Sequence, residues 1–183
     1  MCKFLKQNEL TTINKPSLQL RRLPIWGIGD TVTFEWPTEA ELAKYKVKKM
    51  PPLKEISFWF KDANTVCMRA VKFEHMDDDL SSPLFDTGDP INCKIKIDRE
   101  VIKQTISVSA CCRDTQHDSI KSIAFNGLKG EVGEANHYKR EAGMKLATHK
   151  LEPGEEIIGG YGNHNTQRFI TSFGFIVAKM API

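Results

Sequence analysis

Five histidines, five cysteines and a run of aspartates carry most of the chemistry open to this chain of 183 residues. The histidines stand at 75, 117, 137, 149 and 164, and none falls in a metal-ligand spacing such as His-x-x-x-His with an acid beside it. The cysteines, at 2, 67, 93, 111 and 112, are odd in number and irregular in spacing, which argues for reduced thiols over a disulfide framework. Cys67, Cys111 and Cys112 lie in strand-like patterns, where a thiol serves as a small apolar residue. Asp77, Asp78 and Asp79, followed by Asp86 and Asp89, offer hard oxygen ligands. Their spacing is not that of a calcium loop and no glutamate closes it, so they read as a solvated connection and no metal is expected. Gly159-Gly160-x-Gly162 resembles a phosphate loop, yet no helix follows it to present an N-terminus to an anion. These residues predict neither an enzyme nor a cofactor.

Charge and hydropathy narrow the classes further. The 26 basic residues against 23 acidic give a net charge of +3, with no basic run of the kind a nucleic-acid binder gathers on one face. No apolar run approaches the roughly 18 residues of a membrane span, and the opening MCKFLKQNEL lacks the apolar centre of a signal peptide. The expectation is a cytoplasmic protein bound to neither membrane nor nucleic acid. At 40% hydrophobic, it has the composition for one domain with a good core.

The elements that must position these residues are β-strands, and they repeat. Ile170-Thr171-Ser172-Phe173-Gly174-Phe175 has the order apolar, polar, small, apolar, small, aromatic, and Met68 to Phe73 and Ile120 to Phe125 follow much the same order. The closing phenylalanines are 52 and 50 residues apart, and each copy has a β-rich run 12 to 14 residues ahead, beginning at Ile56, Ile106 and Ile158. Such a period describes one supersecondary unit that cannot bury its apolar face alone. Turns are expected at Lys61 to Asn64 and Arg113 to Gln116. Asp30 to Trp36 alternates, with Val32, Phe34 and Trp36 on one face. Thr38 and Glu41 form a capping box for a short helical insert over about 38–49, stopped by Pro51-Pro52. Nothing else reads as a helix. Cys93 to Asp98 and Met144 to Leu151 are further strands, Val101 to Ala110 leads into the second hairpin, and residues 1–24 form an extended arm. The class is all-β, and a trefoil, a prism or a three-bladed arrangement would each close three hairpins without exposed edges.

The third copy adds specificity. Leu151-x-x-Gly154-Glu155-x-Ile157-Ile158-Gly159-Gly160-Tyr161-Gly162, followed after a short loop by Phe169 to Phe175, resembles the closing motif of jacalin-like lectin domains. The resemblance extends over about residues 25–178, with Ser81-Ser82-Pro83-Leu84-Phe85 and Gly88 similar to the loop of the family's first repeat. It implies a β-prism of three Greek-key sheets related by a pseudo-threefold axis over residues 25–183, with the insert at 38–49 and the arm at 1–24 outside the family pattern.

The resemblance also implies where a sugar would bind. The family uses Gly-x-x-x-Asp leading into the last strand, where the carboxylate accepts from two sugar hydroxyls and the glycine lets the ring approach. The matching positions here are Gln167 and Thr171. In the other repeats the carboxylate position is held by Arg69 and Lys121, which only donate. The expected function is a non-catalytic module, its sugar site lost, that binds other proteins of a larger intracellular assembly, a cytoskeletal one among the candidates, through the arm and the insert. The alternative is a lectin with an altered site for an anionic glycan, built from Arg69, Lys121, Thr171 and the polar loop Asn163-His164-Asn165. Outward basic residues on a strand commonly serve solubility alone, and that reading is preferred for Arg69 and Lys121.

Overall fold

Alternating apolar residues turn the three repeated segments into three hairpins. The structure is a computed structural model that describes residues 18–27, 31–45, 50–61, 67–86, 93–112, 120–135, 145–164 and 169–180. Its strands are β1 (Leu18–Arg22), β2 (Trp26–Gly27), β3 (Phe34–Trp36), β4 (Leu53–Lys61), β5 (Cys67–His75), β6 (Cys93–Asp98), β7 (Ser107–Cys112), β8 (Ile120–Gly127), β9 (Gly130–Ala135), β10 (Lys145–Lys150), β11 (Glu156–His164) and β12 (Ile170–Met180). Two helices, α1 (Glu39–Tyr45) and α2 (Arg99–Gln104), complete the order.

Each hairpin, β4–β5, β7–β8 and β11–β12, forms the centre of its own antiparallel sheet. Beside the second strand of the hairpin lies the next piece of chain: β9 pairs with β8, and Ser81 and Phe85 bridge to Glu74 and Val71 of β5. Beside the first strand lies the piece after that, so β6 pairs with β4 and β10 with β7. In the third sheet both flanking places are taken by the start of the chain: β1 and β2 pair with β12, and β3 pairs with β11. The same four-place plan occurs three times, which is the β-prism of Greek-key sheets that the resemblance implies and one of the closures that the repeat allows.

The inward side chains of the three hairpins meet in one aromatic core. Phe58, Phe73, Phe125, Phe173 and Phe175 are fully buried, with Phe173 edge-on to Phe58 and Phe175, and Phe125 edge-on to Phe175. Edge-to-face aromatic pairs add about 0.5–1.5 kcal/mol beyond area burial. On β4 and β6 the alternation is explicit, because Ile56, Phe58 and Ile97 point inward while Lys94 and Lys96 stay in solvent.

Three sequence expectations need adjustment. Residues 18–22, taken as part of an arm, are β1, in register with β12 from Leu18↔Met180 to Arg22↔Ile176. Leu23 after it is fully buried and its N–H donates to the Phe175 carbonyl, so burial and backbone pairing override the polar composition. The strand expected over Asp30 to Trp36 is confined to Phe34–Trp36, and Val32 is 46% exposed. Arg99–Gln104, expected as strand or connection, is the helix α2, whose Asp98 side chain caps the Val101 N–H at 3.0 Å. A helix of six residues is too short to show its period. The threonine half of the capping box is present, with the Glu41 N–H donating to the Thr38 hydroxyl at 3.4 Å, and α1 covers Glu39–Tyr45, while 46–49 lie outside the described residues. The expected turns at Lys61 to Asn64 and Arg113 to Gln116 fall on described residues only at Lys61, the end of β4.

Candidate functional site

The tips of the first and third hairpins lie together at one end of the prism. Phe73 stacks on Phe173 at 6.5 Å, and four residues earlier on each chain segment the Arg69 guanidinium sits over the Phe169 ring at 5.7 Å. β5 and β12 therefore run alongside each other in the same direction. A third tip joins them: Phe34 of β3 stacks between His164 at 4.8 Å and Phe85 at 4.9 Å.

His164 ends β11, and its backbone N–H donates to the Thr33 hydroxyl at 3.0 Å. Burial against Phe34 lowers the imidazole pKa below its ordinary value, with the Asp86 carboxylate pulling the other way. Among the described residues the Nε2 atom of that ring is buried without a hydrogen-bond partner. Thr171, second residue of β12, turns its hydroxyl toward the carbonyl of Asn163 across the hairpin, at 3.4 Å. Arg69 is only 6% exposed, so the outward, solubilising placement expected of it is corrected: the β5 tip is covered by the third sheet, and Phe169 faces the cation.

Of the residues singled out from the sequence, the structure thus gathers Arg69, Asn163, His164 and Thr171 at neighbouring tips. Lys121 stands half-buried on β8 of the second sheet. Asn165 and Gln167 lie outside the described residues. The residues that sequence reasoning did not assign to the site are Phe34, Phe85, Phe169 and Asp86. Their signal was faint, because they come from three segments about fifty or more residues apart and only the closed sheets bring them together. Asp86 is exposed on the first repeat's tip, away from the strand position where the lectin motif keeps its aspartate. Among the described residues no three His, Cys, Asp or Glu side chains are grouped as metal ligands would be.

The hairpin order, the register and the apex geometry invite comparison with known proteins. No protein-family model matches the sequence, and no curated protein matches it either. Solved structures do. A mannose-binding lectin from Champedak superposes with a TM-score of 0.57 at 17% identity, over 90% of this chain and 98% of the other. A mannose-specific jacalin-related lectin from Morus nigra, solved with mannose, gives 0.58 at 18% identity over 87% and 95%. The chain has the jacalin-like β-prism fold. The same fold reaches further, since a biofilm matrix protein of V. cholerae superposes with a TM-score of 0.54 at 8% identity, over 90% of this chain and 24% of that one. In this chain α1 lies between β3 and β4.

Proposed function

We propose that this jacalin-like prism is a non-catalytic binding module that has given up the monosaccharide site and serves as a protein-interaction subunit of a larger intracellular assembly, with a cytoskeletal setting among the candidates. The observation that carries the reading is the direction of the Thr171 hydroxyl. It faces the Asn163 carbonyl of its own hairpin, whereas a lectin of this fold needs two acceptor oxygens aimed outward there. A neutral hydroxyl already facing a neighbour cannot replace a carboxylate that takes two sugar hydroxyls. Cys67, free and buried, supports a reducing compartment. Partners would meet the features outside the lectin plan, namely α1 and the chain preceding β1.

Calorimetry with mannose and with galactose tests this directly. No heat of binding is expected up to millimolar sugar, and a dissociation constant of about 1 mM or tighter for either would overturn the loss of the site. Pull-down from cytosol, washed with free sugar, should retain protein partners. A second reading rests on Arg69 over Phe169, a cation on an aromatic ring at the end of the fold where lectins bind. Selective binding of sialylated or sulfated glycans on an array, abolished in Arg69→Gln, would favour that altered lectin.

A further inference from the structure

The insert that interrupts the prism leaves it after Trp36 and rejoins it at Met50-Pro51-Pro52. One imidazole joins the two sides of this stem. His75, the last residue of β5, is 1% exposed; its Nδ1 lies 2.8 Å from the Pro51 carbonyl oxygen, and the Trp36 indole N–H donates to its Nε2 at 3.3 Å. A carbonyl oxygen only accepts, and an indole N–H only donates. Both bonds therefore require a neutral ring carrying its proton on Nδ1. Uptake of a second proton sets two donors, Nε2–H and the indole N–H, against each other in the interior, and one of them loses its bond.

We propose that His75 is a pH-sensitive staple across the stem of the 37–51 insert, closed while its ring is neutral and released when the ring is protonated. The groups facing the ring from every packed element are the Pro51 and Ile158 carbonyls and the Asp77 carboxylate, all of which favour the charged form, and the Trp36 indole, which opposes it. Burial outweighs the favourable groups and holds the ring neutral below its ordinary value of 6.5. The stem is also where the insert is anchored by packing, with Met50 buried and Leu42 resting on the core. Trp36 belongs to a strand of only three residues, so losing its indole bond weakens the side of the stem with the least backbone pairing. The second sheet takes no part in that bond and the first meets it only at His75, the end of β5, so the change stays local to β3, α1 and that strand end.

Hydrogen exchange on the full chain tests this. Protection factors for amides in 38–45 are compared with those of β4 and β8 between about pH 7.5 and pH 5, the range in which a histidine titrates. The expected result is a fall of up to about tenfold in the insert for each pH unit below about 6.5, the value of a released ring, levelling off once the folded-state value is passed, while β4 and β8 keep their protection. The variant His75→Gln can donate and accept without titrating, and should flatten the profile. Insert protection that is independent of pH, loss in step with β4 and β8, or an unchanged profile in His75→Gln would each overturn the proposal. If His75→Gln does not fold, the profile of the native chain decides alone.

Discussion

Phe173 lies in ring contact with Phe34, Phe58, Phe73 and Phe175, and so ties β3, β4, β5 and β12 to one centre. Truncating it leaves a cavity that no rigid strand can collapse into, and Phe173→Ala is expected to cost about 3–5 kcal/mol in urea unfolding. Charge acts at this scale as well. His75, His149 and His164 are each held below the ordinary value of 6.5, in every case chiefly by burial. The unfolded chain takes up these protons near 6.5 and the folded chain only at lower pH. Their contribution to stability is therefore complete above about pH 6.5 and drains away as pH falls from there toward the folded values. The urea midpoint should be lower at about pH 5.5 than at about pH 7.5, and His75→Gln should narrow the gap. Composition foretold the phenylalanine core, since each copy of the repeat ends in an aromatic residue. It did not foretell the burial of Arg69 or the bonds of His75, because both depend on partners set by register, Phe169 in one case and Trp36 in the other.

The elements that sequence alone placed well are the hairpins, whose second strands begin at Cys67, Ile120 and Ile170, beside the starts of the three repeated segments. Alternation over six or more residues is a strong signal, and two glycine-rich or very short strands, β2 and β3, are a weak one. β1 was hidden for another reason. Its outward faces are polar, and what marks it as a strand is the open edge of β12, which pairs with it from Leu18 to Arg22. Arg21 then bonds Glu155 at 2.8 and 2.5 Å and reaches the Lys150 carbonyl, fastening β1 to the base of the prism. Two truncations separate these roles. Removing residues 1–17 should leave the melting temperature within a few degrees of the full chain, since the last sheet keeps its edge strand. Removing 1–24 strips β1 and the buried Leu23, and should lower the melting temperature by at least about 10 °C or abolish folding, read by circular dichroism.

At the scale of the whole molecule, a period of about fifty residues was enough to predict three hairpins closed on one another, and the resemblance of the third copy chose the prism among the few ways to close them. The apex was not readable in the same way. Its parts, Phe34, Arg69, Phe85, His164 and Phe169, have no local pattern in common and become neighbours only through the closure of the first sheet's tip against the third. That closure joins the two ends of the chain, since β1, β2 and β3 find their partners in β11 and β12. During synthesis the ribosome delivers the strands in the opposite order to their need. Two sheets can assemble while translation continues, whereas Trp26, Phe34 and Trp36 must wait, greasy and unpaired, until β11 and β12 have been made. Until that moment a nascent chain exposes the apolar surface that chaperones recognise.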